Sequence, residues 1–405
     1  MNAGTRILSA TERMLAVIER HTGAGGGVLP ILDPSITFAV PTPEETARRF
    51  TDAPTDSSYI YGRMMQPAVM LLGEMVAALE DAPAGYGVAS GLAAIHIVIT
   101  ALAKPGDHIV VSDSLYGGSV ALSRFLRERC IRVTKVDTNN TLEISEALAK
   151  KRTRLFLVES VSNPLMRVAD IGTLADLAHC ARVPLAVDNT FTPFILEPMR
   201  LGADIVIHSL TKFAGGYSDI IAGGIACSSE LKAKLLHAVT GVQTLHGAVL
   251  DARTAHELAI RMQDMHLRYT AASEVAAMMA DQIRRTGIVV HYPGLHVSHG
   301  ISLFEQTSNP SYGYGGVLSV DLGSHEGATK FHKLLVDYGI AINAVSLGSI
   351  HTYAVCFGSP TSAPLVSGEF RPNPPGLIRI TAGRSPEPQV IASRLSEMLA
   401  TRAWE

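Results

Sequence analysis

The sequence predicts an α/β fold built on a mostly parallel sheet, and three observations carry that expectation. Short apolar runs, "HIVVSD", "RLFLVES", "PLAVDNT", "ADIVIHS" and "GGIAC", recur between residues 108 and 227. They are apolar throughout rather than alternating, which is the pattern of strands covered on both faces. Helical stretches such as "GSVALSRFLRERC" and "DIGTLADLAHCA" separate them, so the strands are joined by right-handed crossovers with helices packed on the sheet.

Taken in order, residues 1–65 lack strong periodicity and read as an extended N-terminal arm. The run "TGAGGG" within them matches neither phosphate-binding glycine motif and reads as flexible chain. From Pro67 the pattern changes: Val69, Leu72, Val76 and Leu79 recur at three- and four-residue steps, an amphipathic helix. It opens a large domain expected over residues 66–255. Beyond it, "VLDARTAHELAIRMQDMHLRYTAASEVAAMMADQIRR" is one long helical stretch. Alternating segments follow, "GVLSVDL" and "LIRITAG", predicting a smaller α+β C-terminal domain over 256–405.

Composition excludes several function classes. The chain has 405 residues, 47% of them hydrophobic, and a net charge of −3 with both signs interspersed. Such a balance argues against a nucleic-acid footprint and against an electrostatic membrane anchor. The stretch "GLAAIHIVITALA" is shorter than the roughly 20 residues that cross a bilayer. Cys130, Cys180, Cys227 and Cys356 stand far apart and read as reduced thiols. The N-terminal stretch carries Glu12 and Glu19 and has no apolar core of a signal peptide. A soluble, cytoplasmic protein is expected. His291, His296 and His299 cluster in "HYPGLHVSH" without a carboxylate or cysteine at ligand spacing, so no metal is expected there.

In open α/β sheets ligands bind beyond the carboxyl ends of the strands, and those ends are rich in chemistry here. Tyr116 follows the first run, and Asn163 stands in "ESVSNP". Asp188 ends "PLAVD", and Ser209, Thr211 and Lys212 follow "ADIVIH". Each has a bland reading. A strand-terminal aspartate often caps the next helix, Tyr116 reads as a rim aromatic, and Lys212 as a solvated loop lysine. Together they match one chemistry, that of pyridoxal 5'-phosphate. That cofactor needs a lysine amine for its Schiff base and a carboxylate for its pyridine nitrogen. An aromatic ring stacks on the pyridine, and its phosphate suits a helix N-terminus, which Ser90 and Gly91 supply ahead of an apolar helical run.

These residues resemble the Cys/Met-metabolism pyridoxal-phosphate enzymes of fold type I. The resemblance runs from about Tyr59 to Arg384 through motifs in fixed order: "YIYGRMMQP", "ASGLAAI", "DSLYGG", "ESVSNP", "AVDNTF", "HSLTK", "GAVL", "YPGL", "AVSLG" and "LIRITAG". It implies that Lys212 is the Schiff-base lysine and proton shuttle, with Tyr116 stacking on the ring and assisting. It implies that Asp188 pairs with the pyridine nitrogen and Asn163 touches the ring hydroxyl. Gly91, Leu92, Ser209 and Thr211 would hold the phosphate. Tyr61 and Arg63 would reach the site of a neighbouring subunit in a homotetramer, Tyr61 touching substrate as well. Arg379 would clamp the carboxylate of a small amino-acid substrate as a fork, with Ser346 close by. Its bland reading is a surface arginine on an edge strand.

The resemblance further implies γ-replacement or γ-elimination on an amino acid derived from homoserine or homocysteine, through a β,γ-unsaturated intermediate. The alternative is a C–S β-lyase or another pyridoxal-phosphate reaction on an unusual amino acid. The substrate surroundings depart from the family pattern. Gly118 stands where methionine γ-lyases carry a cysteine, and Gln243 and Thr244 replace their lysine–aspartate pair, which counts against methionine. Gln66, Ala68, Tyr217 and His351 also replace the usual residues. His351 reads equally as an acid–base group in the pocket or as a plain polar side chain.

Overall fold

The computed structural model of the protein describes residues 8–23, 27–55, 58–295, 301–357, 373–385 and 387–405. Its larger sheet has seven strands: β1 (Ala84–Val88), β2 (His108–Ser112), β3 (Arg132–Val136), β4 (Thr153–Glu159), β5 (Leu185–Asp188), β6 (Ile205–His208) and β7 (Gly223–Cys227). They lie in the order β1-β7-β6-β5-β4-β2-β3, and only β7 runs against its neighbours. Every residue of β2, β6 and β7 is buried, as continuous apolar runs require. The edge strand β3, with Arg132 and Lys135, stays half-exposed, and charge on an edge discourages pairing with another sheet. Helices Gly117–Arg127, Thr141–Leu148 and Ile171–Cys180 make the crossovers from β2 to β3, β3 to β4 and β4 to β5. The ends of β4, β5 and β6 therefore open side by side along one edge.

A second sheet of five strands follows: β8 (Val289–His291), β9 (Val317–Asp321), β10 (Ile342–Asn343), β11 (Tyr353–Cys356) and β12 (Leu377–Thr381). Its order is β8-β9-β12-β11-β10, antiparallel except between β10 and β11. Helices His325–Asp337 and Pro388–Thr401 lay Phe331, Leu335, Leu395 and Met398 over Leu318 and Ile378 to make a separate core. Helix Met265–Arg284 joins the two cores. Its Met265, Tyr269 and Ala272 belong to the first, and Val275, Met279 and Ile283 to the second.

Three elements differ from the sequence reading. The N-terminal arm contains helices Ala10–Arg20 and Pro43–Thr51. Ser9 and Glu12 close a capping box on the first, a signal of two residues at the right spacing, and Met14, Val17 and Ile18 are buried. Helix Pro67–Glu80 is buried nearly all round, at 11 of its 14 residues, because helices Ala10–Arg20 and Ala252–Met262 pack against it. Its apolar period is therefore masked by apolar residues on every face. The long helical stretch is two helices, Ala252–Met262 and Met265–Arg284, separated by Gln263 and Asp264. No helix among the described residues is long and apolar enough to cross a membrane.

Candidate active site

A cavity of about 260 Å³ opens at the carboxyl ends of β4, β5 and β6. Gly91, Leu92, Tyr116, Asn163, Asp188, Ser209, Thr211, Lys212 and Arg379 all line it. The backbone explains why these residues meet. Lys212 follows β6 by four residues in a tight turn whose Thr211 exchanges hydrogen bonds with Ala222: Ala222 N–H donates to Thr211 Oγ1 at 3.0 Å, and Thr211 N–H donates to the Ala222 carbonyl at 3.2 Å. The Lys212 amine donates to Ser346 Oγ at 3.1 Å. Burial, then the positive charge of Arg379, lowers its pKa below the usual lysine range, which favours the free amine a nucleophile needs.

Asp188 is the last residue of β5. Its Oδ1 accepts the Thr190 N–H at 3.0 Å and the Thr190 hydroxyl at 2.5 Å. Burial raises its pKa, while the Thr190 bonds and nearby His208 oppose that rise. Ser90 caps helix Gly91–Leu102 by accepting the Ala93 N–H at 3.1 Å. The N–H groups of Gly91 and Leu92 have no partner among the described residues. Glycine at 91 lets this helix start touch the turn just after β6: a Cβ there would lie 2.8 Å from Ser209 Cβ. Gly223 gives the same close approach from β7, since a Cβ on it would sit 2.2 Å from the Ser90 carbonyl oxygen.

Arg379 lies at the middle of β12, the central strand of the second sheet, and is 3% exposed. The edge-strand reading therefore does not describe it. Its guanidinium donates to Asn163 Oδ1 at 3.1 Å and to the Val345 and Ser346 carbonyls at 3.0 and 3.3 Å. Its Nε has no partner among the described residues. Burial pulls its pKa down to about 10, so it remains a cation at neutral pH.

Glu159 is the residue the sequence reading missed. It ends β4 and lines the cavity, and its two oxygens accept the Tyr116 N–H at 2.6 Å and the Asn163 N–H at 3.1 Å. Burial first, and Asp188 opposite it second, push its pKa up to about 8. The available signal was an acid closing an apolar strand beside a neighbouring strand that closes on Asp188.

Tyr61 and Arg63 are not brought to the cavity within the chain. Tyr61 is 42% exposed, and Arg63 donates to the Thr244 carbonyl at 2.7 Å. His351 is exposed and does not line the cavity. Tyr217 lies between the guanidiniums of Arg384 and Arg261, at 4.2 and 4.9 Å from its ring. Gln243 is buried and donates to the Ala248 carbonyl at 3.0 Å, which also accepts the Ala89 N–H just ahead of Ser90. No group of three or more His, Cys, Asp or Glu side chains among the described residues is placed to hold a metal. His296 and His299 lie outside the described residues.

Residues 16–387 match the Cys/Met metabolism PLP-dependent enzyme family. The chain belongs to that family. It is 38% identical to a methionine gamma-lyase of Arabidopsis thaliana over 91% of this chain and 85% of that one. It is 33% identical to a cystathionine beta-lyase of Lactococcus lactis over 80% and 84%. A crystal structure of cystathionine gamma synthase from Xanthomonas oryzae superposes with a TM-score of 0.84 at 27% identity, covering 98% of both chains. The protein is thus a pyridoxal-phosphate-dependent enzyme of Cys/Met metabolism that eliminates or replaces a group on an amino acid. Its own geometry suits that cofactor: one cavity holds a half-buried amine, a half-buried carboxylate at a strand end, an aromatic ring, and hydroxyls beside free helix N–H groups.

Proposed function

We propose that the enzyme carries out γ-replacement or γ-elimination on an L-amino acid derived from homoserine or homocysteine. The observation that carries this reading is the setting of the Lys212 amine. It rests on one neutral hydroxyl, Ser346 Oγ, whose own backbone carbonyl is held by Arg379. A base so lightly held swings between neighbouring carbons, and γ-chemistry requires protons to be taken from Cα and then Cβ.

In this reading Lys212 anchors pyridoxal 5'-phosphate and afterwards moves those two protons. Asp188 holds the pyridine nitrogen, with Thr190 keeping its Oδ1 occupied. Tyr116 stacks on the ring and assists departure of the γ-substituent, while Asn163 contacts the ring hydroxyl. Gly91 and Leu92, through free N–H groups, and Ser209 and Thr211, through their hydroxyls, bind the phosphate. Arg379 grips the substrate carboxylate as a fork, Ser346 stands beside it, and the fork fixes Cα within reach of Lys212. The bound cofactor supplies an electron sink for the carbanion that proton removal leaves. Tyr61 and Arg63 complete the site of a neighbouring subunit in a homotetramer, and Tyr61 touches substrate there. The four free cysteines fit a cytoplasmic setting. Gly118, Gln243 and Thr244 favour a substrate other than methionine, although the plant methionine gamma-lyase is 38% identical.

Incubation of the loaded enzyme with L-vinylglycine, with and without a thiol, tests the reading by mass spectrometry. Vinylglycine needs no leaving group. Conversion to 2-oxobutyrate and ammonia, or to a γ-thioether when thiol is present, is the expected result. No turnover of vinylglycine, with pyruvate formed from cystathionine, would replace it with β-elimination.

A further inference from the structure

Beneath the cavity lies a carboxylate that the chemistry above leaves unused. Glu80 is the last residue of helix Pro67–Glu80 and is 0% exposed. An acid that deep is costly unless donors hold it, and an apolar side chain would fill the space at less cost. One of its oxygens, Oε1, engages His208 Nε2 at 2.6 Å and accepts from Asn189 Nδ2 at 2.9 Å. The other, Oε2, is buried without a partner among the described residues.

The positions of those two partners give the arrangement its meaning. Asn189 directly follows Asp188 at the end of β5. His208 ends β6 and directly precedes Ser209, three residues ahead of Thr211 and four ahead of Lys212. One carboxylate oxygen therefore bridges the two strand ends that carry the carboxylate and the amine of the site. The tie extends further. Asn189 Oδ1 accepts from Thr192 at 2.7 Å, Thr192 Oγ1 shares a hydrogen bond of 2.8 Å with Ser160, and the Ser160 N–H donates to the Asp188 carbonyl at 3.0 Å. The end of the helix that presents Glu80 is itself pinned, because Arg13 donates to the Ala78 and Leu79 carbonyls at 2.7 and 3.2 Å.

We infer that Glu80 is a positioning residue of the cofactor site, fixing Asp188 relative to the Ser209–Lys212 turn through Asn189 and His208. This rests on the roles proposed for Asp188 and Lys212, and not on which substrate carbon reacts. A side-chain oxygen with two acceptor sites holds both strand ends at once.

The test measures pyridoxal-phosphate affinity by absorbance titration and the visible circular dichroism of the loaded protein. The variants are Glu80→Leu and His208→Leu, which remove the acceptor and one donor. His108→Leu is the control: His108 is equally buried, but it bonds Thr153 and Thr134 at 2.8 Å at the opposite end of the sheet. Both test variants should bind the cofactor about tenfold more weakly, the effect of one lost hydrogen bond to a charged group, and should show altered dichroism. The control should lose thermal stability alone. If Glu80→Leu does not fold, His208→Leu and Asn189→Ser decide, each removing one of the two bonds. Affinity within about threefold of wild type with unchanged dichroism, alongside a lowered melting temperature, would overturn the inference. In the wild-type enzyme, cofactor binding without turnover of vinylglycine would count against the proposed reaction and leave the Glu80 inference to the variants.

Discussion

Two carboxylates meet on the cavity floor, Glu159 ending β4 and Asp188 ending β5, paired in register across the parallel strands. Water is largely excluded from both, so each resists ionisation and the charge of one raises the other. For Glu159 the folded-state pKa is about 8 against an ordinary value of 4.5. Between those values the folded chain keeps a proton that the unfolded chain has released, so stability falls as pH rises through that window. Glu159→Gln removes the titration. The stability of the cofactor-free wild type relative to Glu159→Gln should therefore decline from pH 5 to pH 8, as read by melting temperature across the range. A flat difference would show that the carboxyl is ionised throughout. Arg379 makes a second prediction at this scale. Arg379→Lys keeps the charge but loses the planar fork and the bonds to Asn163, Val345 and Ser346. It should raise KM for the amino-acid substrate about tenfold or more with a smaller change in kcat, read from steady-state kinetics.

At the scale of elements, the site is a set of strand ends and one helix start held at contact distance. Gly91→Ala would drive a Cβ to 2.8 Å from Ser209 Cβ, and the helix start that offers the Gly91 and Leu92 N–H groups would have to retreat. Cofactor affinity should drop about tenfold or more while far-ultraviolet circular dichroism stays that of wild type, both read by titration of the purified variant. The strands behind this geometry were legible because β2, β4, β5, β6 and β7 bury both faces and so spell out apolar runs. β1, "AGYGV", was not: it is glycine-rich, and its packing partners are distant in sequence. Helix Ala10–Arg20 escaped because its stripe of Met14, Val17 and Ile18 is short and covers one neighbouring helix. In the site, polar residues just past apolar runs stood out, which brought Asn163, Asp188 and Lys212 forward. Glu159 and Glu80 did not, since each acts through hydrogen bonds to segments that only the fold brings near.

At the scale of the whole molecule, Tyr61 and Arg63 stand outside their own chain's cavity. The N-terminal segment around them exposes Val28, Leu29, Ile31 and Ile36, and the cavity rim exposes Leu92 and Ile221. Exposed apolar side chains at these two places are surface that the proposed neighbouring subunit would cover. If the arm of one subunit completes the site of its neighbour, two inactive variants should rescue each other. Lys212→Ala lacks the base of its own site but offers an intact Arg63 to a partner. Arg63→Ala keeps its base and needs the arm of a partner. A dimer formed from one of each has one site missing both groups and one site missing neither. Equal mixing with random exchange should recover about a quarter of wild-type activity, because half the dimers are mixed and each has one intact site of two. Sites confined to single subunits would instead give only the sum of the two parents. Different affinity tags on the two variants, captured in sequence from the same mixture, report whether exchange took place, so an absence of rescue can be assigned to the site rather than to unmixed subunits.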